Sequence, residues 1–275
     1  MAFKPDIKQG EVLSNKQLSE EFLCGNMGGM RRSLKTKTLV LVSDHTKSLY
    51  DDKWYANEFH YTGMGKVGDQ SLTFGQNRTL SESKGNGVGL HLFEVFNRGE
   101  YIYQGEVILS KQPYTEKQLD DAGNIRNAWM FPLQLLEKYP VRIEEEDIKR
   151  IASAKIKKAK KYPILKLKAV VEPKRNKPAS KRETLTTSFD RDPFVVEYAL
   201  TRAKGVCQLC DGPAPFKKKT GEPYLQVHHI IYLANNGSDT YDNVVALCPN
   251  CHAKIHTLEN DNEVEKLKKL ALIKI

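Results

Sequence analysis

Four cysteines stand in two C-x-x-C pairs, Cys207/Cys210 and Cys248/Cys251, and Cys24 is the fifth. Thiolates at this spacing ligate a tetrahedral metal ion, and four of them close a zinc site without any histidine. Five cysteines clustered in this way do not make a disulfide scaffold. The 37 residues between the pairs are too many for an ordinary zinc ribbon. They hold Leu225-Gln-Val-His-His-Ile-Ile231 and Asp242-Asn243, and the second pair runs on into His252 and His256. Neighbouring residues on a strand face opposite sides, so His228 and His229 cannot share one role. His252 and His256, four apart on a helix beginning near Pro249, share a face. Two imidazoles on a helix and one on a facing strand hold a divalent ion while leaving positions for water and a phosphate oxygen. The remaining strand histidine is then free to take a proton from water. That is equipment for metal-assisted phosphodiester hydrolysis.

Rival zinc chemistries lack their residues. No histidine is followed two positions later by glutamate, as a nucleobase deaminase requires, and no H-E-x-x-H of a zinc peptidase occurs.

The elements that position these groups follow from pattern. Helix is expected from Pro193 to Lys204, strand from Tyr224 to Ile231, and helix again from near Pro249. Gly10 to about Leu136 is strand-rich: Leu39–Val42, Gly89–Phe96 and Tyr101–Leu109 are short β-branched or aromatic runs, with Asn97-Arg-Gly-Glu100 as a hairpin turn. Residues 144–161 have helical spacing, an acidic first turn and a basic end. Pro163, Pro173 and Pro178 then imply an extended connector to about Asp190.

The chain of 275 residues carries 43 Lys+Arg against 34 Asp+Glu. The excess is local: between Ile148 and Arg182 there are 14 basic residues and one acid, Glu172. Such a run attracts polyanions, of which nucleic acid is the obvious one. The apolar runs are strand-length and exclude a membrane span. The start has no secretory signal pattern, so the cytoplasm is the expected location.

The C-terminal constellation closely resembles HNH nucleases of the ββα-metal fold in their zinc-stapled form, over about residues 200–258. The resemblance implies His229 as general base, Asn243 as the residue fixing its orientation, and His228 and His252 as metal ligands. His256 is a third ligand or a phosphate contact. The implied metals are structural Zn²⁺ on Cys207, Cys210, Cys248 and Cys251, and catalytic Mg²⁺ or Mn²⁺ on the histidines.

Upstream, the order Gly29-Met-Arg-Arg-Ser33, Leu39–Ser43, Tyr50-Asp-Asp52, Tyr61-Thr-Gly-Met-Gly65, Asp69–Leu72 and Asn77-Arg-Thr-Leu80 resembles SRA domains, PUA-like barrels that flip a modified cytosine out of duplex DNA. The match runs over roughly residues 10–135. A flipped base needs aromatic faces and a few hydrogen-bonding groups. Tyr50 and Tyr61 supply candidate faces, and Asp52, or its neighbour Asp51, accepts from the cytosine amine. Thr62 reaches the C5 substituent, and Arg31, Arg32 and Arg78 are candidate phosphate contacts. Only Lys66-Val-Gly68 separates Gly65 from Asp69, where eukaryotic SRA domains carry a long basic finger.

The expected protein is α+β with two domains: an SRA/PUA-like curved β-barrel over 1–140, a basic helix and linker over 141–190, and a zinc-stapled HNH domain over 191–275. The expected function is a type IV-like restriction endonuclease acting on double-stranded DNA that carries 5-methyl- or 5-hydroxymethylcytosine. One active site cuts one strand, which implies a homodimer for a double-strand break. The competing readings are a homing or phage-type HNH endonuclease directed by ordinary sequence, and a non-catalytic DNA-binding module.

Overall fold

A computed structural model of the chain describes residues 3–47, 50–55, 58–137, 141, 143–174, 179, 182 and 189–272. The chain divides into two compact units, Met1–Thr186 and Thr187–Ile275.

The first unit is built on nine strands: β1 (Val12–Leu13), β2 (Met30–Ser33), β3 (Thr38–Asp44), β4 (Lys53–Tyr55), β5 (Glu58–Thr62), β6 (Gly89–Val95), β7 (Tyr101–Leu109), β8 (Tyr114–Leu119) and β9 (Ile125–Leu135). The main path is β2-β3-β6-β7-β9-β5-β4, with β1 on β7 and β8 on β9. The β6/β7 hairpin closes through the Asn97–Glu100 turn and carries a register shift at Leu92/Phe93. β3 runs parallel to β6 and is buried along nearly its whole length. One face of the sheet buries Leu41, Phe59, Leu92, Phe131 and Leu133. Another cluster joins Val40, Val42 and Phe93 to Leu18 and Phe22 of α1 (Asn15–Phe22). That helix starts at a capping box in which Ser14 and Gln17 bond reciprocally, satisfying N–H groups that the first turn leaves free. A short helix, α2 (Gln76–Ser81), brings Asn77 beneath the Tyr-Thr-Gly turn.

The expected helix near 144–161 is α3 (Glu145–Ala159), with acids in its first turn and lysines in its last. The extended connector is corrected in part, because α4 (Ile164–Val171) follows directly. Pro163 is its N-cap, a position that needs no helical N–H, so the proline starts a helix where it was read as preventing one. Both helices sit on the first unit: Arg150 donates to Phe96 O at 2.9 Å, and Tyr162 lies against Gly123. A 3-10 turn, Glu172–Lys174, follows α4, and the rest of the expected connector, including Pro178, lies outside the described residues except for positions 179, 182, 189 and 190.

The second unit is a β-hairpin clasped by helices. β10 (Gln226–His229) pairs antiparallel with β11 (Val244–Leu247), setting His228 opposite Val245 and His229 opposite Val244. Around it pack α5 (Pro193–Ala203), α6 (Pro249–Leu258) and α7 (Asp261–Ala271), whose Ala203, Ile255, Leu267 and Ala271 share a core with Val245 and Leu247. The architecture is α+β. Among the described residues no helix is long and apolar enough to cross a membrane.

Candidate functional site

The four cysteines converge. One ligand atom from each of Cys207, Cys210, Cys248 and Cys251 lies within 4.8 Å of all the others. A tetrahedral ion about 2.3 Å from each sulfur needs sulfurs roughly 3.8 Å apart, so the cluster fits zinc. The two knuckles are tied together by Gln208, whose N–H donates to Ala246 O at 3.0 Å and whose Oε1 accepts Ala246 N–H at 2.8 Å. Burial alone would raise Cys207, but backbone N–H groups, those of Cys210, Cys248 and Leu209, outweigh it and bring the thiol down to about 7. A thiol so placed gives up its proton readily to become a ligand. Cys248 then caps α6, with Pro249 in the first turn.

From that cap α6 turns Cys251 and Ile255 inward and leaves His252 half-buried and His256 exposed. The strand supplies the third imidazole. Ligand atoms of His228, His252 and His256 also lie within 4.8 Å of one another, the rings meeting nearly edge-on with centroids 4.7 to 5.3 Å apart. His228 is 2% exposed and its Nδ1 has no protein hydrogen-bond partner. Burial, with neighbouring His256, His252 and His229, pushes it down to about 3, and burial lowers His252 as well. Three mutually facing imidazoles, the buried one with an unsatisfied ring nitrogen, fit a divalent ion. Tyr232 stacks on His256 at 5.0 Å and 25°, and its hydroxyl donates to Glu259 at 3.2 Å.

His229 points the other way from His228, as strand alternation requires. Its Nε2 lies 2.7 Å from Asp239 Oδ1. The hydrogen bond from His229, together with one from the backbone of Asp192, holds the Asp239 carboxyl below the ordinary range. Among the described residues, the Asn243 side chain makes no hydrogen bond to the His229 ring. Its Oδ1 accepts Ile231 N–H at 2.9 Å, and its Nδ2 donates to Ile231 O at 3.0 Å and Ser238 O at 2.7 Å. Its backbone oxygen accepts Ile230 N–H at 2.9 Å. Asn243 thus fixes the chain that leaves His229, one step back from the ring.

In the first unit, Asp52 is buried: Oδ2 accepts the Ser43 hydroxyl at 2.6 Å and Oδ1 accepts Thr62 N–H at 2.7 Å. Thr62 is buried beside it, its hydroxyl 3.6 Å from Met130 Sδ. Tyr50 is half-buried, with Arg126 over its ring at 5.8 Å. Tyr61 departs from the expectation of an open stacking face: it is 4% exposed, packs in the sheet core, and donates to Gly29 O at 2.8 Å. A Cβ on Gly29 would lie 2.8 Å from that hydroxyl, so only glycine admits the contact. Arg31 is likewise corrected. It is 5% exposed and braces the fold through Gly28 O at 3.0 Å and Asn15 Oδ1 at 2.7 Å. Arg32 donates to Thr38 O at 2.8 Å. Arg32 is half-buried, and Arg78 is exposed beside Glu82.

The family model of the ScoMcrA-like SRA domain matches residues 9–155. The chain belongs to the ScoMcrA-like SRA domain family. Residues 207–258 match the HNH endonuclease family model, so the SRA domain is followed by an HNH domain. The Type IV methyl-directed restriction enzyme EcoKMcrA of Escherichia coli (strain K12) is 42% identical over 97 residues, which are 35% of this chain and 35% of that enzyme. Among solved structures, the Type IV phosphorothioation-dependent restriction endonuclease ScoMcrA is 23% identical with a TM-score of 0.40, over 96% of this chain and 63% of that one. The modification dependent TagI restriction endonuclease is 19% identical with a TM-score of 0.39, over 93% of this chain and 80% of its own. The chain thus covers about a third of the length of EcoKMcrA and less than two thirds of ScoMcrA.

Several residues of the SRA and HNH domains escaped the sequence reading. Asp239 sits in a loop ten positions from His229, where no periodicity points. In the SRA domain, Gln70 and Asn77 hold the Tyr-Thr-Gly-Met-Gly turn: Gln70 donates to Gly63 O at 2.5 Å, and Asn77 accepts Met64 N–H at 2.7 Å. A Cβ on Gly63 would meet both side chains at 3.0 Å or less. Arg126 is 1% exposed and donates to Gly65 O, while its Nε and Nη2 have no protein partner. Gln70 and Asn77 lie within the quoted SRA motifs, which is their sequence signal; Asp239 and Arg126 have none.

Proposed function

We propose that this protein is a modification-dependent DNA endonuclease of the Type IV kind, whose SRA domain captures a modified cytosine flipped from duplex DNA and whose HNH domain hydrolyses the backbone. The observation that carries the reading is within one hairpin. His228 enters a three-imidazole cluster, while His229, its neighbour, stands on the opposite strand face with a carboxylate on its ring.

In this reading Cys207, Cys210, Cys248 and Cys251 hold a structural zinc that fixes α6 against the hairpin. His228, His252 and His256 would hold Mg²⁺ or Mn²⁺, which supplies charge stabilisation to the phosphate and to the leaving 3′ oxygen. His229 takes a proton from the attacking water as the water oxygen bonds to phosphorus. The bond from phosphorus to the 3′ oxygen breaks, leaving a 5′ phosphate, and Asn243 keeps the strand end in place. In the SRA domain Tyr50 offers a ring face, Asp52 accepts from the cytosine amine, and the unsatisfied donors of Arg126 suit acceptors on a base edge. Arg78 and the lysines of α3 and α4 are the candidate backbone contacts.

The test is cleavage of matched plasmids, unmodified or carrying 5-methylcytosine, 5-hydroxymethylcytosine or phosphorothioate, with Mg²⁺ or Mn²⁺ and a His229→Ala control. Selective cutting of a cytosine-modified plasmid, lost in the control, is the expected result. Equal cutting of all plasmids refutes the reader assignment, and cutting by His229→Ala at the parent rate refutes the base.

A further inference from the structure

Asp239 is the side chain in contact with the proposed base, and its geometry dictates which ring nitrogen does the work. Oδ1 lies 2.7 Å from His229 Nε2. Oδ2 accepts the backbone N–H of Asp192 at 2.6 Å, and Asp192 is the N-cap of α5, accepting Phe194 N–H at 2.8 Å. The carboxylate is therefore held at both oxygens and cannot swing away from the ring. A carboxylate only accepts hydrogen bonds, so the hydrogen in the 2.7 Å contact belongs to Nε2. A neutral imidazole with hydrogen on Nε2 has its lone pair on Nδ1. Among the described residues nothing hydrogen-bonds His229 Nδ1, so its lone pair has no protein donor there.

We infer that Asp239 is the positioning residue of the active site: it locks His229 in the Nε2–H tautomer and so makes Nδ1 the nitrogen that receives the proton of the attacking water. The inference rests on the proposed role of His229 in hydrolysis. The proton passes from water to Nδ1, the water oxygen bonds to phosphorus as the bond from phosphorus to the 3′ oxygen breaks, and the imidazolium keeps its Nε2–H donated to Asp239. The carboxylate then faces a cation in place of a neutral ring, which stabilises that step more than the ground state. The same residue joins the base to the start of α5, where the chain enters the HNH domain.

The substitution that isolates this role is Asp239→Asn. The amide oxygen must face the Asp192 N–H, which leaves the NH₂ group against Nε2. The ring can answer only by accepting there and carrying its hydrogen on Nδ1, which removes the lone pair from water. Loss by wrong tautomer in a His–Asp pair reaches about 10⁴-fold in kcat, and a fall of roughly 10²- to 10⁴-fold is expected here with DNA affinity and zinc content unchanged. Asp239→Ala, which lets both tautomers coexist, should lose less than Asp239→Asn, and Asp239→Glu should recover part of the rate.

The deciding measurement is a long-range ¹H–¹⁵N correlation spectrum of the full chain labelled at its seven histidines, zinc-loaded with Mg²⁺ present, with His229 assigned by comparison with His229→Gln. The Nε2–H pattern in the parent and the Nδ1–H pattern in Asp239→Asn are expected. An Nδ1–H pattern in the parent, or Asp239→Asn cutting at the parent rate, overturns the inference. The spectrum needs no cleavage, so failure of the plasmid test and failure of this tautomer are separate outcomes.

Discussion

Replacing Glu94 by glutamine should unfasten the SRA domain by an amount the structure allows to be worked out. Glu94 is 0% exposed on β6. Its Oε1 lies 2.7 Å from His45 Nε2 and 2.5 Å from Arg182 Nη2, and its Oε2 accepts the Trp54 indole N–H at 3.2 Å. Arg182 also lies over the Phe96 ring at 4.9 Å. Burial alone would raise the carboxyl, but the Arg182 charge and the His45 contact dominate and push it down from 4.5 to about 2. A folded-state group held below its unfolded value stabilises fully above the unfolded value, and that contribution is lost as pH falls through the folded one. That lowering, from 4.5 to about 2, corresponds to roughly 3 kcal/mol at pH 7 and about 1.4 kcal/mol at pH 3. Glu94→Gln removes this and leaves Arg182 unpaired, a situation that costs about 3–5 kcal/mol in buried pairs. The assay is urea unfolding at pH 7 and pH 3, followed by tryptophan emission, since Trp54 touches the carboxylate. A difference from the parent below 1 kcal/mol at pH 7, or one equally large at both pH values, would refute the linkage argument.

Four further outcomes are expected. Cys210→Ser should release zinc, measured by elemental analysis, and unfold the second unit, because such sites supply folding energy outright. His252→Ala should leave zinc content and unfolding midpoint near those of the parent while abolishing cleavage at ordinary Mg²⁺; parent-like rates would remove His252 from the ligand set. Arg31→Ala should lower stability by about 2 kcal/mol through its lost charged hydrogen bonds, with DNA affinity unchanged while folded. Arg78→Ala should instead leave stability within about 0.5 kcal/mol and lower the salt slope of DNA binding by about 1.

The parts of the HNH domain legible in the sequence are those fixed by short-range geometry. A C-x-x-C pair forms one knuckle, His252 and His256 lie one helical turn apart, and adjacent strand histidines part to opposite faces. Each of these is decided within five residues, and the structure gathers the four cysteines in one cluster and His228, His252 and His256 in another, with His229 outside both. Asp239 was not legible because its contact is made by a loop, whose path depends on Asn243 clamping Ile231 and Ser238. The helix α4 was missed for a different reason: proline was weighed as a breaker, although at a cap it costs a helix nothing.

The SRA domain was harder to read because parity fails where both faces of a strand are covered. On a half-buried strand, alternation tells which side chains enter the core and which face a ligand. β3 is buried at Thr38 through Ser43, so neither face can be named from polarity. On β5 the buried residues are Phe59, Tyr61 and Thr62, two of them adjacent and therefore on opposite sides. Tyr61 takes the face shared with Phe59 and enters the core, while Thr62 N–H turns to Asp52. A motif can therefore place Tyr61 and Thr62 beside a pocket without saying which of them lines it. Arg31 shows the same limit. Between Met30 and Arg32 its charge suggests an outward contact, yet Asn15 and Gly28 supply the acceptors that let the guanidinium stay inside. Whether a polar residue of this domain reads DNA or braces the fold is thus decided by partners from distant strands and loops, and those partners become visible only once the sheet is assembled.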